Sequence, residues 1–155
     1  MKKIKKIMIA FILFLLIVSA TIAYYSVRLP AKSVIPHLTQ IENIYFSYLK
    51  GNKITPYKIE FNDKNTEIDQ LMSIFDSVSY TRSLGSKNIR NGNTTLAIIF
   101  LYRDSDGKPK DYFLDINEHG FIISDKKKFK IVRKETEVFK QLSTWLFENG
   151  IEQPT

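Results

Sequence analysis

The chain contains no cysteine. That absence removes disulfide frameworks, thiolate zinc sites, thiol nucleophiles and the lipid-acceptor cysteine of a bacterial lipoprotein, so stability must come from packing alone. Histidine is nearly absent too: His37 and His119 are the only two, and neither falls in an HExxH or similar arrangement. No glycine-rich phosphate loop is present, and no serine stands in a G-x-S-x-G or S-x-x-K context. The carboxylates Asp63, Glu67, Asp69 and Asp76 gather on or beside one predicted helix, where capping and solvation account for them. The segment "RDSDGKPKD" has the look of a calcium loop but fails in either register. With Asp104 at position 1, Lys108 and Pro109 stand where a ligand and a glycine are needed; with Gly107 at position 6, Tyr102 and Phe113 take the two end positions. Asp104, Asp106 and Gly107 read instead as a hairpin turn. The sequence carries no catalytic signature, and it implies no cofactor and no metal.

What the chain has is apolar and aromatic residues. At 155 residues and 44% hydrophobic, with 11 Phe, 8 Tyr and 1 Trp, it is sized for one packed domain and is not a disordered chain. Its net charge of +7 suggests nucleic acid at first sight. Four of those charges, however, are Lys2, Lys3, Lys5 and Lys6, which precede an apolar run and belong to its targeting grammar.

That run, residues 7 to 25, "IMIAFILFLLIVSATIAYY", carries no charge over 19 residues. As a helix it is roughly 28 Å long, close to a bilayer's hydrocarbon thickness. Two readings fit. In the first, residues 1–25 are an uncleaved single-pass anchor, with the lysines inside, the rest of the chain outside, and Tyr24 and Tyr25 at the interface. In the second they are a signal peptide, with Thr21 and Ala23 at the −3 and −1 positions of a cut before Tyr24, and the product is secreted.

Residues 26–40, with Pro30 and Pro36 and no strong period, read as a spacer. Residues 41–150 read as an extracellular α+β domain and 151–155 as a tail. "IENIYFSYL" and "ITPYKIEF" flank the turn signal "KGNK" as a hairpin, with Pro56 placing the second strand near an edge or its start. Ile68, Leu71, Met72, Phe75 and Val78 then form one helical stripe, with Thr66 and Asp69 as its capping box. "TRSLGSKNIRNGN" (81–93) reads as a long loop. "TTLAIIFLY" (94–102) reads as a strand buried on both faces. A meander follows through "DYFLDI", "FIIS" and "FKIVR". A last helix runs from about Thr136 to Glu148, with Val138, Phe139, Leu142, Trp145 and Leu146 inward and Gly150 as its stop. The class expected is α+β: an antiparallel meander packed by one or two amphipathic helices behind an N-terminal transmembrane or signal helix.

The most charged stretch is "KKKFKIVRK", in which Lys126, Lys127, Lys128, Lys130, Arg133 and Lys134 fall within nine residues. It reads as a contact for an anionic partner: lipid headgroups, an envelope polymer or an acidic protein surface. The bland alternative is a solvated turn and an exposed strand face whose charges block edge pairing. Nucleic acid is not expected, because export separates the domain from it and no aromatic platform interleaves with the basic residues.

"YKIEFNDKNTEIDQLMSIF", "DYFLDINEHGFIIS" and "KIVRKETEVFKQLSTWL" together resemble a family of small exported Gram-positive proteins classed as a domain of unknown function. The likeness spans roughly residues 41–148. It implies a fold and an extracytoplasmic compartment and brings no catalytic residues. Many such relatives carry a lipoprotein cysteine that this chain lacks, so their mode of anchoring does not transfer. The function expected is a membrane-tethered or secreted, non-enzymatic binding or accessory module. An envelope hydrolase whose site forms only in three dimensions, and a sensor or immunity-type accessory protein, stand as the alternatives.

Overall fold

The structure is a computed structural model describing residues 2–37, 40–61, 63–85, 88–90 and 94–154. Helix α1 (Lys2–Ser26) is continuous, and its segment Ile4–Ser26 is long and apolar enough to cross a membrane. None of that apolar window is buried against the rest of the chain, which suits a membrane anchor or a signal sequence.

Among the described residues the remainder is α+β, as the patterning implies. Eight antiparallel strands, β1 (Ile41–Lys50), β2 (Lys53–Ile59), β3 (Ser79–Arg82), β4 (Thr95–Arg103), β5 (Pro109–Asn117), β6 (Phe121–Ser124), β7 (Lys127–Val132) and β8 (Gly150–Glu152), form one sheet in the order β3-β7-β6-β5-β4-β1-β2-β8. Helix α2 (Lys64–Asp76) carries the chain from β2 to the far edge at β3, and α3 (Glu135–Asn149) carries it back from β7 to the opposite edge at β8. Period-2 alternation turns Phe46, Ile98, Leu114 and their neighbours to one face. Leu71 and Phe75 of α2 and Leu142 and Leu146 of α3 cover that face, all fully buried. Trp145 Nε1 donates to Gln70 Oε1 at 3.3 Å and ties the two helices together. A bulge between Ile41 and Asn43 lets Ile41 and Ile44, three positions apart, both point into the core.

The structure departs from the sequence reading in five places. The strand 94–102 is not buried on both faces. Leu96, Ile98 and Phe100 are buried, while Ala97, Ile99 and Leu101 are half-buried on the outer face, because both core helices lie on the other side. The cap of α2 is Asp63 and not the Thr66–Asp69 pair: Asp63 Oδ1 accepts from Thr66 N at 3.4 Å and Oδ2 from the Thr66 hydroxyl at 2.7 Å. These bonds favour the ionised carboxylate and lower its pKa.

The supposed loop 81–93 begins as the end of β3, which pairs with β7 from Ser79↔Val132 to Arg82↔Phe129; positions 86, 87 and 91–93 lie outside the described residues. The supposed spacer enters the core. A 3-10 turn at Ala31–Ser33 leads to Val34 and Ile35, 0% and 2% exposed, and the buried hydroxyl of Ser124 donates to the Val34 carbonyl. Of the supposed tail, Ile151 and Glu152 pair with β2. Gly150 does end α3, but in an extended conformation. A Cβ there would stand 2.6 Å from the Leu146 carbonyl oxygen and 2.8 Å from the Phe46 ring, so the glycine serves close approach.

Gly120, between β5 and β6, is constrained twice over. Its φ of +73° is left-handed, and a Cβ would meet Glu135 Cγ at 2.6 Å and Ile131 Cβ at 3.2 Å. Gly120→Ala should cost about 2 kcal/mol or more, from the left-handed backbone and the displaced start of α3. A urea titration of the full chain in detergent, followed by the fluorescence of Trp145, measures it.

Candidate functional site

The site is built where α1 meets the sheet. Tyr24 and Tyr25 stand edge to face at 5.2 Å in the last turn of α1. Three residues beyond the helix, Leu29 joins the outer edge of β3: its N–H donates to the Tyr80 carbonyl at 2.8 Å and its carbonyl accepts from Tyr80 N at 3.0 Å. Arg82, at the end of β3, has its guanidinium 4.1 Å from the centroid of the Tyr24 ring, and Nη1 donates to the Tyr24 carbonyl at 3.2 Å. A cation against the unsatisfied carbonyls of a helix C-terminus, stacked on an aromatic face, is favourable on both counts.

The tip of the β6–β7 hairpin closes the other side. An open pocket of about 680 Å³ results, and its walls include Tyr24, Lys32, Arg82, Lys126, Lys127 and Lys128. Among the described residues no Asp or Glu lines it. None of its five cations makes an ion pair among the described residues, where the pairs are Lys58–Glu60, Arg90–Asp115, Arg103–Glu42 and Lys134–Glu137. Lys128 Nζ donates to the Gly85 carbonyl at 2.7 Å, which aligns that ammonium on the rim.

The structure divides the basic run of the sequence. Lys126, Lys127 and Lys128 line the pocket. Lys130 points to the outer face of the sheet, its Nζ 5.1 Å from the centre of the Phe121 ring. Arg133 and Lys134 lie roughly 20 Å from the hairpin tip at the far end of β7. Both are in left-handed backbone, φ 67° and 56°, where the chain turns into α3, and Lys134 pairs with Glu137 at 3.5 Å. Lys32 and Arg82 take their place in the pocket. The aromatic and β-branched run "VSYTR" was the signal for the strand that carries Arg82; Lys32 had none.

The remaining candidates do not converge. His37 stacks on Tyr102 with centroids 4.5 Å apart, and His119 is exposed in the β5–β6 turn. Asp104 Oδ1 accepts from the backbone N–H groups of Asp106 and Lys108 at 3.0 and 2.9 Å, the turn role expected of it. Among the described residues no group of three or more His, Asp or Glu side chains stands close enough to hold a metal ion. The outer sheet face is a second, apolar surface. Tyr45, Ile54 and Phe113 are exposed there around the bidentate pair of Arg90 with Asp115, at 2.7 and 2.9 Å.

No family model, curated protein or solved structure matches the chain.

Proposed function

We propose that this protein is a membrane-tethered extracytoplasmic module, non-enzymatic, that holds a small α+β domain against the bilayer surface and engages an anionic partner through the pocket at the foot of α1. The observation that carries the reading is the direct joint between helix and domain. The apolar helix ends at Ser26, Leu29 is already paired with the sheet, and Arg82 is bonded to Tyr24. A helix mounted in this way fixes the distance and the tilt of the domain relative to a membrane, which a flexible spacer would not.

The lysines ahead of the apolar run favour an N-terminus inside and a domain outside. The resemblance to small exported Gram-positive proteins points to the same compartment. The unpaired cations supply the attraction for an anionic partner.

The intact mass of the protein recovered separately from membranes and culture medium tests the tether. The expected result is the full 18.1 kDa chain in the membrane fraction, resistant to alkaline carbonate washing. A product beginning at Tyr24 in the medium would overturn the tether.

A further inference from the structure

We propose that the pocket between Tyr24, Lys32, Arg82 and the Lys126–Lys127 turn binds the phosphate headgroup of one anionic phospholipid, a proposal that rests on α1 spanning the bilayer. Position is the first argument. The 23 residues Ile4–Ser26 make a helix of about 34 Å, against a hydrocarbon core of about 30 Å. The last turn therefore stands in the headgroup layer, and Tyr24 and Tyr25 of that turn are themselves walls of the pocket. A lipid headgroup is the anion present at that depth at the highest concentration.

Composition is the second argument. The pocket suits an amphiphile, since its lining combines the cations with the apolar Leu29, Leu84 and Phe129. Leu84 is 75% exposed and Val27 51% exposed beside the joint, and both are apolar side chains suited to the upper acyl region. The volume of about 680 Å³ falls within the range of about 300–1,000 Å³ usual for small-molecule sites.

Charge is the third. The Arg82 guanidinium spends one nitrogen on the Tyr24 carbonyl and keeps donors for a phosphodiester, with the Lys32, Lys126 and Lys127 ammoniums as point charges around it. Five cations, with no acid among the described residues of the lining, favour a net anion and offer the choline of a zwitterionic lipid no counter-charge. The site thus selects phosphatidylglycerol-type lipids over phosphatidylcholine.

Native mass spectrometry of the full chain from detergent, with each lipid added at equal concentration, tests this by counting retained lipids. One phosphatidylglycerol should be retained with about 10-fold preference over phosphatidylcholine. Lys126→Gln/Lys127→Gln should abolish that preference, since each cation near the surface contributes of the order of a few-fold. Both side chains are exposed and leave the Arg82–Tyr24 joint untouched. Lys50→Gln/Lys53→Gln at the β1–β2 turn makes the same change of net charge and should leave retention intact. Equal retention of the two lipids, or equal losses in both double variants, would overturn the proposal in favour of diffuse attraction. Displacement by soluble glycerophosphoglycerol at a concentration equal to that of the lipid would overturn it in favour of a phosphodiester taken from solution. The lipid count is made on the purified full chain, so it stands apart from the intact-mass result. A chain that is cleaved in cells sinks the tether, and a chain that retains no phosphatidylglycerol sinks the pocket.

Discussion

Ile35→Ala should destabilise the domain by about 3 kcal/mol, although the residue lies between two prolines in a stretch without period. Ile35 is 2% exposed and belongs to the main core together with Val34 and Ala31. With Met72 and Phe75 of α2 it lines a small pocket of about 180 Å³ between the 3-10 turn and that helix, which truncation would enlarge. The surroundings have little freedom to collapse into it. The turn is pinned by the N–H groups of Val34 and Ile35 on the Ala31 carbonyl, both at 2.8 Å, and by the Ser124 hydroxyl on the Val34 carbonyl. A spacer would give the opposite result, a change within about 0.5 kcal/mol. The midpoint of urea unfolding, read from Trp145 in the full chain in detergent, separates the two. An unchanged midpoint would mean that residues 31–35 contribute nothing to the core.

Legibility in this sequence follows the range over which each feature is encoded. Tyr112, Leu114 and Ile116 alternate within one strand, and Val138, Phe139, Leu142, Trp145 and Leu146 share one helical face. Periodicity specifies such faces locally, and the buried residues are the ones it points to. Three features needed the topology. Tyr80 is buried because β3 closes the sheet edge beside β7, where its partner Ile131 lies 51 positions further on, and no four-residue segment announces such a pairing. Ile99 and Leu101 look like core residues yet face outward, because α2 and α3 share one side of the sheet. The pocket is the third case. Lys126 and Lys127 stand out by charge density, but Lys32 and Arg82 join them only because Leu29 pairs with Tyr80 and brings the end of α1 against β3.

Raising the pH above about 10 should destabilise the domain through two tyrosines, with a loss of about 3 kcal/mol by pH 11. Burial is the main reason that Tyr80 and Tyr112 resist ionisation; Asp76 adds to it at Tyr80, and Asp125 and Tyr102 at Tyr112. The unfolded chain releases each phenolic proton near pH 10 while the native chain holds it. Stability is therefore complete below about pH 9 and falls by about 1.4 kcal/mol per pH unit for each tyrosine once the unfolded form titrates. Tyr57, raised by burial and by Glu152, contributes a lesser share.

The two hydroxyls differ at neutral pH. Tyr80 donates to the Phe75 carbonyl at 2.7 Å, so Tyr80→Phe should cost about 1 kcal/mol. The Tyr112 hydroxyl is buried without a hydrogen-bond partner among the described residues, and Tyr112→Phe should leave stability unchanged or raise it by up to about 1 kcal/mol. In the double variant the alkaline slope should fall to the residue left by Tyr57, even though its stability at pH 7 is close to that of the parent. Urea titrations at pH 7, 10 and 11 on all four proteins measure both effects. A slope that survives the double substitution would mean that other groups, and not these two phenols, carry the alkaline loss.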